Sequence, residues 1–184
     1  MRYHRAMIVF HLAVTTCDDY LTRREPHRRA HLERLQGLRA AGILIGGGPA
    51  PDGTSADLVY RLQQPGQLKH AIEEDPYWTG GAWVGYTPRS FAQFVEPWEQ
   101  VPVVLDGSRR ITIVEGPVAD HAMAQFALIE MRGAGRLAFG GFFEDGQTFA
   151  LMNTPDAAQA LAWFGETGFW TPGALAARPL LHVI

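Results

Sequence analysis

The chain has 184 residues, a net charge of −3 with histidines neutral, 47% apolar and 19% charged residues, and a single cysteine, Cys17. That balance suits a globular protein of one large or two small domains and excludes an electrostatic hold on nucleic acid. One cysteine excludes an internal disulfide or a cysteine-rich metal cluster, and no apolar run approaches the roughly 18 residues of a membrane span.

The first apolar run, residues 6–14, is broken by His11 and lacks a small-residue cleavage site, so a reducing, cytoplasmic setting is expected. AMIVFHLAV is rich in β-branched and aromatic residues and predicts a strand. Thr22 and Glu25 are spaced as a capping box, and a helix is predicted from there to Arg39. Leu32, Leu35, Leu38 and Ala41 mark its apolar face, and Gly42 ends it. The basic residues Arg23, Arg24, Arg28 and Arg29 lie beside Asp18, Asp19 and Glu25, which favours a solvated helix face over an anion-steering rim.

ILIGGGPAPDG predicts a strand running into a turn, and ADLVYRL a third strand. A second helix is expected over 65–74, closed by Asp75-Pro76 because a residue before proline disfavours the helical region. AWVGYT gives a fourth strand. The order β-α-β-β-α-β is the ferredoxin-like plait.

The same order then returns. RITIVEG, RLAFGGFF, QTFALMN and the end of the chain predict strands, with helices over 119–134 and 155–166, the former with Phe126 and Ile129 on its apolar side. LRAAGILIGGG lies over MRGAGRLAFGG, and DPYWTGGAW over TGFWTPGAL, so the chain is a duplicated domain rather than a short-period solenoid. The expected division is a first repeat over 1–96, a linker over 97–109 and a second repeat over 110–184. A four-stranded sheet with both helices on one side needs cover on the other, so the two repeats are expected to pack sheet to sheet as an intrachain pseudo-dimer. Whether such pseudo-dimers pair again as a homodimer is left open.

The first repeat resembles the YCII-related, or YciI-like, family over essentially its whole length. The resemblance is carried by Arg28-Arg29-Ala30-His31-Leu32 with Leu35, by Ala41-Gly42-Ile43-Leu44, by Gly48-Pro49, by Asp75-Pro76-Tyr77 and by the strand from Tyr86 to Phe91. It implies a ferredoxin-like fold of the dimeric α+β barrel type and an active site built on a His–Asp pair, at His31 and Asp75. One relative in that family eliminates chloride from a chlorinated hydroxyquinol-type ring.

The residues support the pair in their own right. His31 shares a helix side with Leu35 and Leu38, which turns its imidazole toward the sheet. Asp75, at the end of the second helix, sits where the helix dipole disfavours an anion and so calls for a partner. A carboxylate on one imidazole nitrogen fixes the tautomer and raises the basicity of the other. The competing reading makes His31 a core histidine bonded to a carbonyl and Asp75 a helix terminus.

Other candidates are weaker. Tyr77, Trp78 and Trp83 could wall a cavity for a flat substrate, with Arg28, Gly48, Pro49 and His11 as further substrate contacts. Gly46-Gly47-Gly48-Pro49 lacks the Lys-Ser/Thr of a phosphate loop, and its glycines permit close backbone approach to a ligand. His27 and His31 have a metal-chelating spacing but no third ligand, so no metal and no organic cofactor are expected. In the second repeat Ala124 takes the position of His31, and Thr167 or Gly168 that of Asp75, so no second pair is expected. The sequence therefore points to a cofactor-free acid–base enzyme of lyase, dehydrochlorinase or isomerase type, acting on a small cyclic or aromatic molecule. The alternative is a non-catalytic ligand-binding or assembly module.

Overall fold

Alternating apolar residues set the first sheet. The structure, a computed structural model, describes residues 7–100, 102–171 and 173–184. Strands β1 (Ile8–Thr16), β2 (Leu44–Pro49), β3 (Ser55–Leu62) and β4 (Trp83–Val95) lie in the order β2-β3-β1-β4, every neighbour antiparallel. Phe10, Leu12 and Val14 of β1 and Leu58, Tyr60 and Leu62 of β3 point to one face. There they meet Leu35 of α2 (Arg28–Ala40) and Leu68 and Ile72 of α3 (Gly66–Glu73) in one apolar core.

The stretch before α2 is not one continuous helix. It breaks into α1 (Tyr20–Arg23), a 3-10 turn (Glu25–His27) and then α2, and no side chain caps any of the three. Pro26 has no N–H and restricts Glu25, so the helix restarts beyond it and the Thr22–Glu25 capping box goes unused. After α3 comes a short turn of helix, α4 (Pro76–Thr79).

The chain divides into two units, residues up to Ser90 with Val183–Ile184, and Phe91–His182. The division falls inside β4, ahead of the segment at 97–109, which carries no helix or strand among its described residues. The second unit repeats the order of the first: β5 (Arg110–Pro117), α5 (His121–Gly133), β6 (Leu137–Phe143), β7 (Gln147–Met152), α6 (Ala157–Gly165) and β8 (Ala176–Leu181). Its strands run β6-β7-β5-β8, the same order as β2-β3-β1-β4. The end of β4 pairs along β6, and Val183 and Ile184 bond to Gly47 of β2.

Two glycines at the same place in each repeat show why those strands are glycine-rich. A Cβ on Gly47 would strike the Asp57 carbonyl, and one on Gly140 the Phe149 carbonyl, because β3 and β7 approach too closely for a side chain. The close approach is to the neighbouring strand, not to a ligand as the sequence suggested.

The apolar side of α5 differs from expectation. Ala124, Ala127, Leu128 and Met131 are buried, whereas Phe126 is 61% and Ile129 39% exposed. Small residues bring this helix close to its sheet and leave the bulkier stripe outside. No helix among the described residues is long and apolar enough to cross a membrane.

Candidate acid–base site

The first turn of α2 presents His31 to the core, as its spacing from Leu35 requires. Its Nδ1 lies 2.7 Å from Asp75 Oδ1. The same carboxylate oxygen accepts the backbone N–H of Tyr77 at 2.8 Å, so Asp75 caps α4. A carboxylate oxygen that takes a backbone N–H is an acceptor, so the proton between it and the imidazole belongs to Nδ1.

Asp75 thus ends one helix and begins the next turn. The unfavourable dipole of α3 that called for a partner is answered twice, by His31 and by the N-terminal N–H of α4. The side chains of His31 and Asp75 are 7% and 0% exposed. Nε2 of His31 makes no hydrogen bond and is not among the fully sealed polar atoms, unlike Asp75 Oδ2 and Trp83 Nε1, which are sealed and unbonded.

Aromatic rings enclose the pair. Tyr77 stacks on the imidazole, centroids 3.7 Å apart and planes at 11°, and Trp83 meets it edge to face at 5.1 Å. Tyr20 meets Tyr77 edge to face at 5.9 Å, and the Arg24 guanidinium lies over Tyr20. Burial pushes the Tyr77 hydroxyl far above its ordinary value, with the nearby Tyr20 adding to the shift and Arg24 and Arg28 opposing it. Burial also raises Tyr60, whose hydroxyl is sealed without a partner and feels the Asp75 charge. Both phenols are neutral at physiological pH.

Beyond Tyr20 lies an open cleft of about 570 Å³ lined by residues 15–22 and 52–54. Cys17 borders it, and its thiol is held above its ordinary value by partial burial and by Asp19, which disfavours the nucleophilic thiolate.

The other sequence candidates scatter. Trp78 packs edge-on against Tyr86, 5.3 Å away. Gly48 and Pro49 are taken up in β2, paired with Asp57 and Ala56. Arg28 opens α2, within electrostatic reach of Tyr20 and Tyr77. His27 packs its ring against Gly80.

His11 is not part of this site. Phe10 and Leu12 face the helices, so strand alternation turns His11 to the opposite face, where its Nε2 lies 2.7 Å from Asp57 Oδ1, both residues buried. Among the described residues no group of three metal-ligating side chains comes together. Sequence reasoning missed Tyr20, Arg24 and Tyr60. The alternation of ADLVYRL does put Tyr60 on the core face, yet no pattern ties that face to Asp75.

The second unit keeps the scaffold and drops the chemistry. Ala124 is the fourth residue of α5 as His31 is of α2, and it is fully buried. Thr167 Oγ1 accepts the N–H of Phe169, two residues on, as Asp75 does from Tyr77. That shared turn assigns Thr167, rather than Gly168, to the position of Asp75. His121, over Arg28, bonds the Gly146 carbonyl at 3.2 Å.

No family model and no curated protein matches the chain. Among solved structures, a candidate monooxygenase from Lactobacillus acidophilus NCFM is similar at 11% identity and a TM-score of 0.63, over 97% of this chain and 95% of its own. Another candidate monooxygenase, from Fusobacterium nucleatum subsp. nucleatum ATCC 25586, is similar at 9% identity and 0.58, over 98% and 94%. These likenesses show the fold: an antiparallel α+β architecture of the dimeric α+β barrel class. The 5-chloro-2-hydroxyhydroquinone dehydrochlorinase of Burkholderia phenoliruptrix AC1100 also matches, at 21% identity and 0.39, over 50% of this chain and 93% of its own. A score that low carries no weight for this chain's reaction.

Proposed function

We propose that the protein is a cofactor-free acid–base enzyme of lyase or isomerase type, acting on a small planar molecule through His31 and Asp75. The observation that carries this reading is the 2.7 Å contact between His31 Nδ1 and Asp75 Oδ1, with Nε2 left unbonded. Nε2 accepts a proton from an activated carbon or a hydroxyl of the substrate. The electron pair released shifts toward an adjacent carbonyl or expels a leaving group, and the imidazolium, held by Asp75, returns the proton. The aromatic enclosure of Tyr77 and Trp83 suits a flat ring, and the motifs around His31 and Asp75 support kinship with YCII-like proteins.

The test is turnover by His31→Ala against wild type on a panel of halogenated and hydroxylated rings and cyclic β-dicarbonyls. Loss of turnover by about 10²–10⁴-fold with an unchanged circular dichroism spectrum is expected. A fully active variant sinks the assignment.

A second reading, a non-catalytic ligand-binding module, is favoured by one observation: the dyad is nearly sealed, with little of the imidazole exposed. Wild-type protein that binds ring compounds stoichiometrically, and converts none of them, would select it.

A further inference from the structure

Trp83 Nε1 is the feature near His31 that the acid–base reading leaves unused. The indole belongs to the first residue of β4 and is 3% exposed. Its ring lies 5.1 Å from the imidazole and 5.8 Å from Tyr77, with planes near perpendicular to both. The N–H is sealed from solvent and has no acceptor. A buried donor left unmade costs about 1–3 kcal/mol. Indole is a donor only, so it needs an acceptor.

None of the surrounding side chains bonds it. Asp75 Oδ1 is committed to His31 and Tyr77, and the neighbouring ring faces are aromatic. The other sealed, unbonded groups of this core are the Asp75 Oδ2 acceptor and the Tyr60 hydroxyl. A base with an unbonded Nε2 therefore shares its aromatic enclosure with an unbonded donor carried on β4. That is the pairing proton abstraction beside a carbonyl or phenol requires. The base takes the proton, and the donor receives the negative charge that gathers on the oxygen.

We infer that Trp83 Nε1–H is the oxyanion donor of the site, which selects substrates whose acidic proton lies next to a ring carbonyl or hydroxyl oxygen. This rests on the acid–base reading for the role of His31, but the hydrogen bond itself can be observed without turnover. No atom is transferred to Trp83: the C–H or O–H bond breaks toward Nε2, its electron pair ends on the substrate oxygen, and the indole N–H donates to that oxygen. Under this assignment the substrate approaches from the 570 Å³ cleft bordered by Tyr20, which meets Tyr77 edge to face.

The experiment uses full-length protein labelled with ¹⁵N at tryptophan indoles and 4-nitrocatechol, a flat ring with adjacent ionisable oxygens, as the probe. The Trp83 resonance is identified by its absence in Trp83→Phe. On titration it moves downfield, and Trp83→Phe binds the probe roughly tenfold to a hundredfold more weakly, the range of a hydrogen bond to a charged group. A variant carrying benzothienylalanine at this position, with sulfur in place of N–H, keeps the ring and shows the same loss, which separates the donor from packing. An unmoved Trp83 resonance at saturation, equal binding by the sulfur isostere, or no binding at ten millimolar probe (on the order of −3 kcal/mol) overturns the inference. His31→Ala keeps the Trp83 shift, so failure of the base assignment and failure of the donor assignment give different results.

Discussion

Tyr77 holds both members of the pair at once: its backbone N–H bonds Asp75 Oδ1 at 2.8 Å while its ring stacks on His31 at 3.7 Å. The residue two places after the carboxylate thus fixes the carboxylate's orientation and the plane of the imidazole. Tyr77→Phe keeps the ring and the backbone and should leave turnover within about threefold, roughly half of the 1.4 kcal/mol that a tenfold change represents. Tyr77→Ala removes a buried ring and should cost about 3–5 kcal/mol, read as a lower urea midpoint. An Ala variant as stable as wild type would mean that the stacking contributes nothing.

Asp75 carries two duties that substitution can separate. Asp75→Asn keeps an oxygen for the Tyr77 N–H but removes the charge that steadies the imidazolium, so the fold survives and turnover drops by about 10²–10⁴-fold. Asp75→Ala also strips the cap of α4 and leaves His31 Nδ1 without an acceptor, and should destabilise by about 3–5 kcal/mol. Equal stability of the two variants in urea would show that the cap is idle.

Much of this architecture can be read from the letters, and the reasons it stops are physical. Helix spacing puts Leu35 on the buried face of α2, where it lies in the core, and the duplicated LRAAG and MRGAG segments mark the repeat. The helix boundary differs at Pro26, where local ring chemistry overrides the capping box, and the buried face differs at α5, where two apolar stripes compete and the one holding Ala124 and Ala127 wins the packing. His31 and Asp75 were legible as a pair because each had an unmet need, one turned inward and one at a helix end. Tyr60 and Tyr20 were not, because their places depend on which strand and turn lie across the core, which no local pattern encodes. His11 departs from its expected place among the substrate contacts because strand alternation sets it on the face opposite Phe10 and Leu12.

Buried phenols give the fold a predictable alkaline limit. Tyr60 and Tyr77 both have folded values raised by burial. Below about pH 10, the unfolded value of tyrosine, both states carry the proton and stability is unaffected. Above it the unfolded chain releases protons that the folded chain retains, so stability is lost as pH climbs toward the folded values. Tyr60→Phe removes one such group, and a hydroxyl that has no partner, so its urea midpoint should match or exceed wild type at neutral pH and fall less between pH 9.5 and 11, a window set around that unfolded value. A steeper fall in the variant would contradict the sealed, unbonded state of that hydroxyl.

The matching glycines of β2 and β6 supply a test of the repeat itself. A Cβ on Gly47 meets the Asp57 carbonyl and one on Gly140 the Phe149 carbonyl, and Gly47 also holds φ at 146°, a region that side chains rarely adopt. Gly47→Ala therefore combines a backbone clash with strain, and Gly140→Ala carries the clash alone. Each should destabilise, Gly47→Ala by more, at about 2–4 kcal/mol. Gly37→Ala, in the exposed middle of α2 where an added methyl meets nothing, should instead stabilise by about 0.5–1 kcal/mol. Parallel urea titrations of the three variants measure the order. If Gly47→Ala unfolds no earlier than Gly37→Ala, then β2 and β3 do not approach as closely as the repeated glycines require, and the shared need of the two repeats for a bare backbone at this point fails with it.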